Sequence, residues 1–356
     1  MRIVYGVHTQ GQGGLSKAAV LIPIMESRGH EVRVITSGQR PPGCYQFRWH
    51  RHLTGMQYIV ANGRTHYSKS FLSWLQNAPE LLHSVWKVRD LVREFQPDVI
   101  LSDFEPLTAS PLIAAKCEVV AVSRPVALLD TAVPLPDGMD FERRLTRSTI
   151  RLFTIGATRR LGYHVEPASY RCLPPVVTPD VQCLKSQPGD HVLVYNVFHP
   201  DANRPDELIA WANRNRQAVI AYGFSDVTQP GTRGLVEFRQ PERQQFLLDM
   251  ASSRAVLTTA GFCLPLEAAH LGKPVCVVPI PGQWEQKVNA FHLKNAGLAH
   301  AAEHWNYDLL LDLPVPAHRL SDWLTKSPAE ILDRILDEAP APGVTKQPQS
   351  ANRTAA

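Results

Sequence analysis

Short unbroken apolar runs alternate along this chain with longer stretches in which apolar residues recur every third or fourth position. The first run, Arg2 to His8, ends at a glycine-rich turn, Gln10-Gly11-Gln12-Gly13-Gly14, and reads as a buried strand. Beyond the turn, Leu15, Ala18, Ala19, Ile22 and Met25 fall at helical spacing, and Gly29 stands where a helix ends in a left-handed residue. Glu31 to Thr36 is a second strand. The chain therefore opens with a β-α-β unit, whose crossover implies a parallel sheet. Asp98 to Ser102 and Val119 to Ser123 extend that sheet, with Pro106 to Lys116 helix-compatible between them.

Leu173-Pro174-Pro175-Val176-Val177-Thr178-Pro179 breaks the pattern, because its prolines hold themselves and the residues before them extended. A linker is expected over 173–184, separating domains over 1–172 and 185–318. The alternation restarts with strands at His191 to Asn196, Ala218 to Tyr222 and Leu235 to Phe238, and helices at Pro205 to Arg214 and Pro241 to Ala251. Strand Ala255 to Thr259, helix Pro265 to Leu271, strand Val275 to Pro279 and helix Gln283 to Ala296 follow. The fold class is α/β, two Rossmann-like doubly wound domains facing a cleft, where the carboxyl ends of both strand sets place the ligands. Ser327-Pro328-Ala329-Glu330 is a capping box opening a helix with Ile331, Leu332, Ile335 and Leu336 on its apolar face, within C-terminal helices over 319–340. The tail, 341–356, lacks apolar periodicity and is expected to be disordered.

Composition narrows the classes without changing this outline. The 356 residues suffice for two cores, and 44% hydrophobic with 20% charged residues is globular usage. A net charge of +4 does not supply the basic surface of a nucleic-acid binder. The six cysteines show no CxxC spacing, so a reduced, cytoplasmic chain is the simple expectation. No apolar stretch reaches the length of about 18 residues that a membrane span needs.

The chemistry concentrates in Thr258-Thr259-Ala260-Gly261-Phe262-Cys263-Leu264-Pro265-Leu266-Glu267. A strand ends, a glycine admits close approach of a ligand, and a helix begins whose free N–H groups and dipole favour a phosphate. Pro265 fits the first turn and donates nothing, leaving the amides of Phe262, Cys263 and Leu264 as diphosphate donors. Glu267 follows about one turn on, where a carboxylate accepts both hydroxyls of a ribose; a plain strand-turn-helix with a surface glutamate reads the same residues without function. After the next strand, Glu285, Gln286 and Asn289 stand at a helix start near the same edge and suit sugar hydroxyls.

With these blocks in view, the chain resembles GT-B glycosyltransferases of the family 28 type, including the enzyme that adds N-acetylglucosamine to the lipid-linked peptidoglycan precursor. It also resembles microbial proteins related to UDP-glucuronosyltransferases, through Gly11 to Ala18, Ser102-Asp103-Phe104-Glu105-Pro106 and Ala260-Gly261-Phe262. The resemblance implies a hexosyltransferase-like, inverting enzyme that moves a sugar from a nucleotide diphosphate, UDP above all, to an acceptor hydroxyl. It assigns the acceptor, small-molecule or lipid-linked, to the first domain and the donor to the second. Glu267 would then hold the ribose, the Gly261 to Leu264 backbone the diphosphate, and Glu285, Gln286 and Asn289 the sugar. Phe238 and Arg239 match the family position where a ring covers the base and a backbone segment reads its edge. The nucleotide-sugar is a substrate, and no cofactor is implied.

One departure concerns the base. Relatives carry a histidine after the glycine pair of the first loop, whereas this chain has Gly11, Gly13 and Gly14 there. His8, Asp103 and Glu105, at strand ends, are the substitutes within reach, with Asp103 first and a His8–Asp103 pair second. A strand-end histidine is also a common structural residue. Leu264 replaces a hydroxyl residue that contacts phosphate in the peptidoglycan enzyme. No Asp-x-Asp pair occurs and the histidines form no HxxxH or HxH set at an element end, so no metal site is expected. Arg143, Arg144, Arg147, Arg151, Arg159 and Arg160, interleaved with Phe141, Leu145, Leu152 and Phe153, suit an anionic lipid or a phosphorylated acceptor, hence peripheral membrane contact. The bland alternative is a solvated helix face. A Gly11-x-Gly13 turn without an acidic residue ending the second strand argues against a dehydrogenase. A sugar-nucleotide epimerase on the same fold and a non-catalytic auxiliary protein remain the other readings.

Overall fold

The computed structural model describes residues 1–337, except 12, 40, 42–44, 62–63, 197–198, 200–201, 225–226, 228 and 315–319. The tail expected to be disordered lies outside the described residues. In the first half run β1 (Arg2–His8), α1 (Gly13–Ser27), β2 (Glu31–Ser37), β3 (His50–Leu53), β4 (Val60–Ala61) and β5 (Arg64–Thr65). They are followed by α2 (Tyr67–Gln76), α3 (Ala78–Phe95), β6 (Val99–Asp103), α4 (Pro111–Ala114), β7 (Glu118–Ser123), α5 (Asp140–Phe153), β8 (Arg159–Tyr163) and β9 (Cys172–Leu173). The second half comprises α6 (Pro179–Cys183), β10 (Val192–Tyr195), α7 (Pro205–Asn215), β11 (Val219–Tyr222), β12 (Gly231–Arg233), β13 (Val236–Arg239) and α8 (Arg243–Ala251). It continues with β14 (Ala255–Thr259), α9 (Cys263–His270), β15 (Val275–Val278), α10 (Trp284–Asn295), β16 (His300–Ala301) and α11 (Pro328–Leu336).

Two seven-stranded sheets result, ordered β3-β2-β1-β6-β7-β8-β9 and β12-β13-β11-β10-β14-β15-β16, parallel except for the edge strand β12. The doubly wound α/β expectation is met. In the first sheet β1 is buried from Ile3 to His8 because it pairs on both sides, and its register sets Val7 against Thr36 and Asp103 and His8 against Ser37. Three polar residues therefore end adjacent strands at one edge. Gly6 is required by packing: a Cβ there would lie 2.3 Å from the Thr108 hydroxyl.

Helices differ from expectation where side chains compete for the backbone. The stretch 106–116 forms only the four-residue α4, because Glu105 accepts the N–H groups of Leu107 (3.0 Å) and Thr108 (2.7 Å) and holds the chain in a turn. On α1 the buried stripe is Leu15, Ala18, Leu21, Ile22 and Met25, while Ala19, about 100° round the helix, faces solvent. The capping box at α11 is formed, with Ser327 N donating to Glu330 (2.9 Å) and Glu330 N to Ser327 Oγ (3.2 Å).

The cores tie the domains together. Ile331, Leu332 and Ile335 of α11 are fully buried against α1 and the first sheet, so the end of the chain packs on the domain where it began. From the other side, Trp284 and Val288 of α10 sink into the first domain's core beside Ile35, Leu107 and Ile150. The two sheets are thereby held with Gly13, after β1, and Cys263, after β14, facing each other across one seam.

Candidate functional site

At the first domain's edge, the turn after β1 is tied to β2: Thr9 N and Oγ1 both donate to the Ser37 carbonyl, at 2.9 and 2.8 Å. Gly11 adopts φ +112°, a region other residues avoid. A Cβ on Gly13 would stand 3.3 Å from Cys263 Sγ across the seam, and one on Gly14 would stand 3.0 Å from Val7 and 3.6 Å from Asp103 Oδ2. The turn is thus pressed between β1 and the start of α9.

Below it lies a buried ion pair that the sequence did not single out. Lys17 Nζ is 3.0 Å from Asp103 Oδ1 and 2.9 Å from Oδ2, with the residues 9% and 4% exposed. The ammonium also rests 4.5 Å over the Tyr163 ring. Burial pushes the Asp103 carboxyl up, and Lys17 pulls it part of the way back. Signal for Lys17 was present, since a lysine interrupts the buried stripe of a helix directly behind a glycine turn.

Asp103 pairs with Lys17 rather than with His8. His8 Nε2 donates to the Met56 carbonyl (2.7 Å), and burial lowers its pKa although Glu105 and Asp103 oppose the shift. Glu105 is fully buried, with Oε1 accepting from Ser37 Oγ (2.6 Å) and Leu107 N and Oε2 from Thr108 N. Its carboxylate locks the turn to β2 and lies out of reach of the cleft, contrary to the expectation of a base there. Between the two acids Phe104 is held at φ +55°, a strained position for an aromatic residue.

An aromatic group surrounds this edge. Phe104 and Phe153 have ring centroids 4.9 Å apart, Tyr58 stacks on Phe153 at 5.9 Å, and Trp74 and Tyr67 close on Tyr58 at 5.5 and 6.2 Å. Helix α10 packs against α5, which carries Phe153, so the group faces the second domain.

In the second domain, β14 runs through Gly261 into α9, with Phe262 as N-cap, Cys263 and Leu264 as the first two helical residues and Pro265 third. Neither a capping side chain nor an acid in the first turn occupies its N–H groups. Glu267 is buried, and both its oxygens meet Arg243 (2.9 and 3.3 Å), which also bonds Thr178 (2.8 Å) and Asp180 (3.2 Å). Burial raises the Glu267 carboxyl and Arg243 opposes it.

Several residues expected at the donor site have protein partners here. The Phe238 ring packs in the core against Phe224, with centroids 5.4 Å apart, and is not available to cover a base. Arg239 is engaged by Glu237 (2.8 and 3.0 Å) and Asp249 (2.5 Å). Asn289 is buried as an interdomain strut, accepting from Arg124 Nε (3.0 Å) and donating to the Ala260 carbonyl (3.1 Å). Gln286 accepts Ile280 N (3.0 Å) at the loop entering α10. Glu285 stays half-buried at the seam, its carboxyl raised by burial against the pull of Arg124.

Arg124 itself was missed, since nothing in its neighbours marks a buried arginine. It donates to the Tyr163 carbonyl (3.1 Å) and His292 Nδ1 (2.7 Å), and lies 4.5 Å over the Phe262 ring. His292 Nε2 donates to the Pro134 carbonyl (2.6 Å), so the ring is neutral with its proton on Nε2. Lys287 adds a bond to the Asp137 carbonyl (2.9 Å).

Two Rossmann-like domains sharing one ligand-facing seam, with the last helix returned to the first domain, define the GT-B class. The sequence pattern of glycosyl transferase family 1 matches residues 1–313, and the chain belongs to that family: it is a glycosyltransferase. No curated protein matches the chain. Similar solved structures include the glycotransferase of kitacinnamycin, 16% identical with TM-score 0.57, covering 94% of this chain and 91% of that one. The S. aureus MnaA–UDP co-structure is 14% identical with TM-score 0.54, covering 87% and 86%. Acinetobacter baumannii MurG is 12% identical with TM-score 0.50, covering 87% and 88%. At these identities the likeness establishes the fold.

The strut makes acid stability a measurable property. Burial first, then the Arg124 charge, holds His292 down at about 3 and His164, its ring 4.5 Å away, at about 4, from 6.5. A group that binds protons more weakly when folded stabilises the fold above the unfolded pKa, and that contribution is lost as pH falls through this window. Urea unfolding is expected to show a loss that sets in near pH 6.5 and continues as pH falls toward about 3, and at about pH 5 His292→Gln should reduce it by roughly 1–2 kcal/mol. An unchanged pH dependence in the variant would remove His292 from this role.

Proposed function

We propose that the chain moves a sugar from a nucleotide-diphosphate donor, a UDP-sugar first among candidates, to an acceptor hydroxyl, with inversion and without a metal. The observation that carries this reading is the uncapped start of α9 facing the Gly13–Gly14 turn, with the Lys17–Asp103 pair directly beneath. The N–H groups of Cys263 and Leu264 serve the leaving diphosphate, and a ribose takes Glu267 in exchange for Arg243. The aromatic group over Phe104 and Phe153 suits an apolar acceptor body whose hydroxyl points toward Asp103. Attack of that oxygen on the anomeric carbon breaks the bond to phosphate, the electron pair leaves with the diphosphate, and Asp103 receives the proton. A single displacement of this kind inverts the anomeric centre. No cofactor enters this scheme.

Where the acceptor is met is suggested by the surface of the first domain. On α5, Phe141 and Leu152 are exposed on one face with Arg144 and Arg151, Ile155 is exposed just beyond its end, and α2 exposes Phe71, Leu72 and Leu75. A basic, apolar helix face of this kind suits an anionic membrane surface and a lipid-linked acceptor.

Glu267→Ala is expected to weaken UDP binding by about 1.5–3 kcal/mol in a folded protein, the scale of a lost charge-assisted hydrogen bond. Asp103→Asn is expected to cut turnover by about 10²–10⁴-fold while UDP binds no more weakly than to the parent. Retention of UDP affinity in the first variant or of turnover in the second would refute the corresponding role. Activity should survive EDTA, because among the described residues no group of three or more His, Cys, Asp or Glu is placed to hold a metal ion; silencing by EDTA with rescue by magnesium would reverse this. In flotation assays the protein should rise with phosphatidylglycerol vesicles and lose that partition in Phe71→Ser/Leu75→Ser, whereas equal flotation would discount the surface.

A further inference from the structure

The seam gathers charges of both signs, Glu285 among the acids. Lys17, the N-terminal end of α9 and Arg124 converge there, while Glu267 is matched by Arg243 and only Asp103 answers Lys17. The pair is also incompletely satisfied. Asp103 Oδ2 is buried and has no directed hydrogen bond, although Lys17 Nζ is 2.9 Å away. Buried ion pairs contribute little stability compared with apolar packing, so their retention calls for another reason.

Placement supplies one. Lys17 stands one helical turn beyond Gly13, whose Cβ position is 3.3 Å from Cys263, the first residue of α9. The charge of Lys17 is felt at the Cys263 thiol, where it opposes the effect of burial. A lysine ammonium is a compact charge on a four-carbon stem with three rotatable donors, suited to exchanging one oxyanion for another.

We propose that Lys17 is the leaving-group cation of the reaction: it holds Asp103 while the donor site is empty and turns to the β-phosphate when a nucleoside diphosphate occupies the start of α9. The inference rests on the donor-site reading above and extends it to the order of events. Donor binding withdraws the ammonium from Asp103, and the freed carboxylate takes the acceptor's proton as the new C–O bond forms. The bond from the anomeric carbon to the phosphate oxygen breaks in the same displacement, its electron pair passing to the diphosphate. Lys17 keeps all its protons and contributes charge alone. Asp103 then gives its proton to solvent as Lys17 returns.

The test is titration calorimetry of the full chain with UDP and dTDP, each against its monophosphate, UMP or dTMP. Lys17→Met should lose about 10–100-fold in diphosphate affinity, the scale of a charge-assisted bond, with monophosphate affinity unchanged, and Lys17→Arg should retain most of it. Since Lys17→Met strands a buried carboxylate, Lys17→Met/Asp103→Asn provides the charge-neutral version. It should show the same selective loss, which Asp103→Asn alone should not. Diphosphate affinity equal to the parent in the folded double variant, or equal losses for di- and monophosphate, would overturn the role of Lys17 while leaving the donor site standing. A parent chain that binds neither diphosphate would instead bring down the donor site, and this inference with it.

Discussion

A full positive charge buried between two domains has to be met by directed acceptors, and Arg124 meets that condition only when the domains stand in one arrangement. Its donors reach the Tyr163 carbonyl at the end of β8 and two side chains of α10, Asn289 and His292. Asn289 passes the constraint on to the Ala260 carbonyl, in the loop that starts α9. A hydrogen-bonded path therefore runs from the first sheet to the first turn of the helix that would carry a diphosphate. The close approach of Gly13 to Cys263 and the burial of Trp284 in the opposite core belong to the same arrangement.

Once that seam is fixed, its two sides differ in kind. The second domain offers backbone N–H groups and an acid already matched by Arg243, so it is electrostatically prepared for an anion without a loose charge of its own. The first domain offers an acid whose own partner is a lysine, with aromatic rings above it and a strained Phe104 beside it. Glu105 is what permits this strain, because its carboxylate ties the following turn to β2 and leaves the chain between Asp103 and Glu105 little freedom. The neighbouring acids have opposite roles: one holds the scaffold, the other is left with unspent hydrogen-bonding capacity.

Periodicity made the sheets legible, since a parallel strand buried on both faces leaves an unbroken apolar run such as Arg2 to His8 or Ala255 to Thr259. The strand-glycine-helix block at Gly261 was legible for a related reason: the break between two periods is itself a signal. Side-chain direction at single positions was not. Phe238 and Asn289 stand near the expected edge, yet the ring of one turns into the sheet's core and the amide of the other is taken by Arg124. Which way a residue points depends on what packs on it from distant segments. Lys17 and Arg124 share that difficulty, because burial of a cation is decided by partners 86 and 165 positions away. The failed helix over 106–116 was a local contest, won by a carboxylate two and three residues from the amides it captured.

Gly14 brings these threads together. A Cβ at this position would fall 3.6 Å from Asp103 Oδ2, so a histidine here would stand over the acid, as the resemblance to related glycosyltransferases implies. It would also stand 3.0 Å from a Val7 methyl, a tight contact that the Val7 side chain or the turn would have to relieve by a few tenths of an ångström. With no imidazole to share its proton, the acid is neutralised by Lys17 from one turn further along the same helix. An imidazole in that position would be both base and partner, whereas a lysine that stays protonated can be only the partner. In the proposed reaction, proton acceptance then falls to the carboxylate, which would act only in states where the lysine is drawn to another anion.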